Sequence, residues 1–392
     1  MNRRLTWITI VGLSFTLHKL SDWFLLRISN VEGVTDFGDL KAVLKSAVCA
    51  EGDLGTLVAK SELATKCGYI YGEWFLRTLS MTPLTESHGF LVAWFLIGLL
   101  AVVLGMYCSV LYRHSRLLAY FALICVNSPP VILLIERANL DILIYLLIAI
   151  SAWGMSRSNL IMTLLPLSTA SMTKFYSLPL LFLVALKQRS ALSRWTTSLI
   201  AVLVSLKVGL ELIGSEAQVP RPTFVAFGLP VFGLYLDYFG IQTHPRVHDA
   251  LGLILLSCSG AVIWQTQRKS WLRVPKCSLV APCESYESVM NCLCASTFLI
   301  CYVLGSNYDY RLILLLIPAL SFIKETRDHN FTSVMFISTT ILAMWGSINL
   351  VIQPIGDIAI LFWASVLAFS IFSEVGAVAA NFRSAQPRNR RT

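Results

Sequence analysis

The sequence predicts an all-α protein: a polytopic transmembrane helix bundle of about 10–12 spans, one pair of them re-entrant. Three observations point there. Of 392 residues, 56% are apolar or aromatic and only 14% charged, where a soluble domain carries roughly 25% charge. Mean hydropathy is +0.69, which excludes a chain folded around aqueous cores. Finally, apolar runs recur near residues 5–26, 89–112, 117–135, 140–155, 160–186, 195–213, 250–265, 286–304, 310–323, 331–351 and 355–379, most of them near the ~20 residues that cross a bilayer as a helix. Residues 1–392 therefore read as one integral membrane domain. The net charge of +9 would suggest nucleic acid if the basic residues formed a patch, but they sit between the apolar runs.

The first run follows Arg3-Arg4, is interrupted by His18, Lys19 and Asp22, and has no small-residue cleavage site after it, so it reads as a retained signal anchor. Residues 27–88 form a first outer loop. It opens with Thr35-Asp36-Phe37-Gly38-Asp39, then Leu40, Val43, Leu44, Ala47 and Val48 at helical spacing with Lys41 and Lys45 opposite. That pattern is an amphipathic helix suited to the membrane interface. The paired carboxylates Asp36 and Asp39 suit a general base or a cation ligand; the alternative is an Asp39 that caps the helix and an Asp36 that is merely solvated. Cys49 and Cys67 lie in the same loop, where an outward position supports a disulfide.

After the runs at 89–112 and 117–135 comes Glu136-Arg137-Ala138-Asn139-Leu140-Asp141, a dense polar cluster at an outer handover between spans. Charges at that depth usually face a cavity and pair; Glu136 neutralising Arg137 is the plainer account. The run at 160–186 is too long for one upright helix and holds Lys174 and Pro179, while Lys187, Arg189 and Arg194 follow closely. Two half-length helices that rise and return keep those cations cytosolic, along with Arg3, Arg4, Arg113, Arg116, Arg157, Arg268, Lys269, Arg273, Lys276, Lys324, Arg327, Arg383, Arg388, Arg390 and Arg391, with both termini inside. Lys174, in Thr173-Lys174-Phe175-Tyr176, then occupies a turn at membrane depth and needs an anion, either a lipid phosphate or a carboxylate such as Glu136 or Asp141, the third option being a side chain that snorkels to the interface.

Residues 214–249 form a second outer loop with scattered prolines and aromatics, able to hold a lipid or cover a cavity. Further on, Ser306-Asn307-Tyr308-Asp309-Tyr310-Arg311 precedes the short run at 310–323. The tyrosines suit interface anchoring, whereas the planar fork of Arg311 suits phosphate or a pair with Asp309. There is no Walker sequence and no HExxH helix, which removes the simplest support for an ATP-driven pump and a membrane zinc protease.

Taken together, these motifs resemble the GT-C membrane glycosyltransferases, and most of all their polyprenyl-phosphate-mannose-dependent (GT87-like) mannosyltransferases. The resemblance rests on Asp36 to Leu40 before an amphipathic helix, Arg137-Ala138-Asn139-Leu140 before an apolar span, Lys174 to Pro179 before a basic turn, and Asn307 to Arg311 before an apolar run. It implies a GT-C-like fold and inverting transfer of a sugar from a polyprenyl-phosphate donor to a lipid-linked or glycan acceptor at the outer face of a bacterial cytoplasmic membrane. Asp36, or Asp39, would be the base. Lys174 and Arg311, with Arg137 in reserve, would hold the phosphate, and Glu136, Asn139, Asp141, Tyr176, Asn307 and Asp309 would support them. The co-substrate is a polyprenyl-phosphate sugar, a divalent cation is compatible, and membrane lipids are the surrounding partner, with no nucleic acid. The rival readings are a lipid or glycan flippase, which more often shows internal repeats, and a polysaccharide polymerase or ligase.

Overall fold

The structure, a computed structural model, describes residues 37–51, 73–188, 190–213, 226–241, 243–275, 285–304, 307–346 and 352–385. The expected anchor at 5–26, Asp36 and Cys67 lie outside these residues. What is described is all-helical apart from one pairing of two-residue strands.

In α1 (Gly38–Glu51), Leu40, Val43, Leu44 and Ala47 are all buried. They pack with Leu76 of α2 (Glu73–Ser80) and with Ala93, Ala138 and Leu140. The expected amphipathic helix thus exists, but its apolar face lies against protein rather than in lipid. Val48, counted on that face from the sequence, is 46% exposed, because it falls outside the roughly 100° stripe set by the other four positions.

The next helix, α3 (Gly89–His114), buries Ala93, Leu96, Leu100, Leu104, Tyr107 and Leu111 along one face. Its other face exposes Leu91, Trp94, Phe95, Val102 and Met106. An apolar outer face is the signature of a helix dissolved in hydrocarbon. The run at 117–135 forms α4 (Arg116–Val126) and α5 (Pro129–Glu136), bent by 52° between them. Pro129 and Pro130 occupy the first turn of α5, where the missing N–H groups would have no intrahelical acceptor.

Helices α6 (Asp141–Ser156) and α7 (Leu160–Thr173) pack closely. Gly154 permits this, since a Cβ there would lie 2.5 Å from the Met162 carbonyl carbon. At Lys174 the chain turns through a 3-10 segment, Phe175–Ser177, into α8 (Pro179–Lys187). The long run at 160–186 is therefore two helices of ~21 and ~14 Å, each short of the ~30 Å hydrocarbon core. The long helix α9 (Ala191–Ile213) packs against both.

Beyond it come β1 (Ala226–Phe227), α10 (Val231–Tyr238), α11 (Pro245–Arg268), α12 (Tyr286–Val303), β2 (Asn307–Tyr308), a 3-10 turn at Asp309–Leu312, α13 (Ile313–Glu325), α14 (Asn330–Trp345) and α15 (Gln353–Ala385). Every residue from Ile313 to Ile323 in α13 is buried. The short apolar run is thus an interior helix of ~20 Å wrapped by its neighbours, not a lipid-facing span. Phe322, Phe336 and Trp363, with ring centroids 5.0–6.0 Å apart, lock α13, α14 and α15 together.

Among the described residues, four helices are long and apolar enough to cross a membrane, or five counting the bent α4–α5 pair. The expected count of about 10–12 spans is accordingly too high for these residues. Several apolar runs, α6, α7 and α14 among them, form helices of 14–16 residues, too short to cross upright and covered in part by other protein.

Candidate functional site

Four stretches far apart in sequence bring their polar groups together at one end of the bundle. The first is α1. Its helix begins at Gly38, so Asp39 stands in the first turn and is not the cap. The preceding residue, Phe37, has φ of 60° and donates its N–H to the Glu136 carbonyl at 2.8 Å. That bond fastens the start of α1 to the end of α5. Asp39 then reaches across: Arg137 Nε lies 3.2 Å from Asp39 Oδ1, and Asn139 Nδ2 donates to Asp39 Oδ2 at 2.6 Å.

The second stretch is the turn between α5 and α6. Asn139 N–H donates to Leu134 O at 3.3 Å and Ala138 N–H to Ile135 O at 3.0 Å, with Ala138 at φ 44°. This is a Schellman ending with alanine where glycine is usual. The left-handed residue reverses the chain so that Asn139 points inward, and Ala138 itself is fully buried. Asn139 Oδ1 accepts the Asp141 N–H at 2.9 Å, which ties the entry of α6 to the same turn. Asp141, in the first turn of α6, sits where the helix dipole favours negative charge.

Lys174 and Tyr176 supply the third stretch, at the break between α7 and α8. Lys174 is 6% exposed. Its ammonium donates to Asp141 Oδ1 at 2.7 Å and to Asn139 Oδ1 at 3.1 Å. The Tyr176 hydroxyl donates to the same Asp141 oxygen. Of the two anions the sequence allowed for Lys174, the structure brings a carboxylate, Asp141.

The fourth stretch is the 3-10 turn before α13. Arg311 Nε donates to Asp141 Oδ2 at 3.1 Å, and its guanidinium lies 4.9 Å from the centre of the Tyr176 ring. This turn is held by residues 226–229. Ala226 and Phe227 of β1 pair antiparallel with Tyr308 and Asn307 of β2, Leu229 N–H donates to Tyr302 O at 3.0 Å, and Phe227 stacks on Phe298. Sequence reasoning took residues 214–249 for a loop able to hold a lipid or cover a cavity and did not see that role, because a two-residue strand leaves no periodic signal.

Asp39, Arg137, Asn139, Asp141, Lys174, Tyr176 and Arg311 thus form one connected network with Asp141 as its hub. Within it, among the described residues, three cations face two carboxylates. Half-buried Glu136 contributes its backbone carbonyl. Asn307 lies in β2 and Asp309 opens the turn that carries Arg311. Asp36 lies outside the described residues. Cys49 is disulfide-bonded, and Cys67 is again outside the described residues. No group of three or more His, Cys, Asp or Glu among the described residues is placed to hold a metal ion; Asp39 and Asp141 are faced instead by guanidinium and ammonium groups. A second polar group, Asp237 with His248 and Thr243, joins α10 to α11, with His248 Nε2 3.3 Å from Asp237 Oδ2.

Chemically, the network offers fixed cations at the rim of an apolar bundle. They are braced by a carboxylate, so that they are aimed before any ligand arrives. No protein-family profile, curated protein or solved structure matches the chain.

Proposed function

We propose that the chain is a membrane glycosyltransferase that moves a sugar from a polyprenyl-phosphate donor to a lipid-linked or glycan acceptor at the outer face. One observation supports this above the rest. Arg137, Lys174 and Arg311 come from three separate segments and converge with Asp39, Asn139 and Asp141 at one end of a lipid-facing bundle.

The physical demands of the reaction suit that arrangement. Departure of a lipid phosphate develops negative charge, and cations already oriented in a low-dielectric setting stabilise it without reorganising. In this reading Lys174 and Arg311 face the phosphate while Asp141 keeps them in place. The acceptor hydroxyl needs a base on the water side. Asp36 takes that role, next to Phe37, whose backbone is tied to the network. Asp39 is then a positioning residue, since both of its oxygens are engaged by Arg137 and Asn139.

The buried Lys174–Asp141 pair also suits a lipid transporter, in which such a pair opens and closes with the cargo. Transfer of labelled hexose from a polyprenyl-phosphate-hexose into membrane glycolipid, measured beside donor binding, separates the two. The enzyme reading expects Asp36→Asn to lower turnover by about 10²–10⁴-fold with donor binding retained. Full transfer activity in Asp36→Asn removes Asp36 as the base. Donor movement across vesicles without any sugar transfer overturns the glycosyltransferase reading.

A further inference from the structure

At the opposite end of the bundle, ~20 Å along α13 from Arg311, lies a cavity of about 310 Å³ between the α3–α4 junction, the end of α13 and α14. Three basic side chains line it: His114, Lys324 and Arg327. Among the described residues no carboxylate does. Glu287 of α12 engages the Lys324 ammonium through both oxygens at 3.0 Å, so that lysine is already compensated. Arg327 and His114 have no ion-pair partner among the described residues. A volume of that size fits a small ligand, and a guanidinium beside an imidazole N–H that can donate a hydrogen bond suits an anion.

The rest of the lining says which anion. Leu117, Phe121 and Ile337 form an apolar wall. Leu117 is 75% exposed, and Phe331 and Val334, one face of α14 beside the cavity residue Ser333, are 64% and 59% exposed. The cavity therefore opens beside an exposed apolar surface. An anionic head with an apolar tail matches a basic pocket whose wall continues into the hydrocarbon.

We propose that this cavity binds an anionic phospholipid, its phosphate held by His114 and Arg327 and one acyl chain lying along Leu117, Phe121 and Ile337. The site is separate from the polar network around Asp141, and its occupancy does not depend on what reaction that network performs. By joining the α3–α4 corner to α13 and α14, the lipid would brace the far end of α13, the helix that follows the 3-10 turn holding Arg311.

The test is native mass spectrometry of the full chain in detergent, titrated with dioleoylphosphatidylglycerol or dioleoylphosphatidylcholine. The proposal expects one tight phosphatidylglycerol, weakened about fivefold in Arg327→Gln, with unchanged binding in Arg157→Gln, an exposed arginine outside the cavity. Ile337→Trp, which fills the apolar wall without changing charge, should also displace the lipid. Equal retention of both lipids, or phosphatidylglycerol binding unaffected by both Arg327→Gln and Ile337→Trp, overturns the site. Inorganic phosphate that competes at equal concentration would show a phosphate pocket and overturn the lipid assignment.

Discussion

Replacing Asp141 by Asn is the sharpest perturbation of the network, because it removes the charge on which Lys174, Tyr176 and Arg311 all converge. The amide keeps the volume but presents one carbonyl oxygen to three donors, and two buried or half-buried cations lose their shared counter-charge. Breaking a buried pair from one side costs about 3–5 kcal/mol. Lys174→Met acts differently. It removes the charged hydrogen bond to Asp141, worth about 1.5–3 kcal/mol, and the longer one to Asn139, while Asp141 keeps Arg311 and Tyr176 and the methionine refills the apolar volume. The order of damage should therefore be Asp141→Asn worse than Lys174→Met, by about 1–2 kcal/mol. Combining the two should cost less than the sum, since the second change removes the cation that the first left facing an amide. The measurement is reversible unfolding in mixed micelles as sodium dodecyl sulfate is titrated, followed by tryptophan fluorescence. Equal losses, a larger loss for Lys174→Met, or strict additivity would refute the assignment of Asp141 as the hub.

Two further changes test how the site is built. Ala138 pays an avoidable conformational penalty at φ 44°, so Ala138→Gly should gain a net ~0.5–1 kcal/mol, whereas Ala138→Val should lose about 1–3 kcal/mol in the same unfolding assay; a loss for the glycine variant would mean the left-handed turn is not strained. Gly154→Ala pushes a methyl into the Met162 backbone and should cost about 1–3 kcal/mol, while Gly98→Ala, with open space around it, should gain about 0.5–1 kcal/mol; equal effects would refute the close α6–α7 contact.

What could be read from the sequence divides along a physical line. Local periodicity marked α1, because Leu40, Val43, Leu44 and Ala47 share one face whatever that face meets. It could not say what the face meets, and the partner turned out to be protein. The break at Lys174 was visible as a charge and a proline inside an apolar run too long to be one helix. So was the density of polar groups from Glu136 to Asp141. Apolar length alone overstated the number of spans, because an interior helix such as α13 is as apolar as a lipid-facing one and needs no full crossing. The meeting of Arg311 with Asp141, 170 positions apart, depends on two-residue strands and on the bend between α4 and α5. Neither has a period from which to read it.

The hub also explains why those polar residue types were separable from ordinary loop polarity only in three dimensions. A lysine at membrane depth is costly unless paired, and Lys174 is paired, so its burial alone requires no ligand. The arrangement exceeds that minimum. One lysine and one carboxylate would satisfy each other, yet Asp141 also gathers Arg311 and Tyr176, while Arg137 is drawn in through Asp39 and Asn139. Each added cation brings its own desolvation cost, and replacement of such clusters by apolar side chains is often neutral or stabilising. A bundle that gathers, among the described residues, three cations and two carboxylates at one end is carrying a cost that packing does not require. That excess, more than the presence of any single charge, is what directs the functional reading to this end of the molecule.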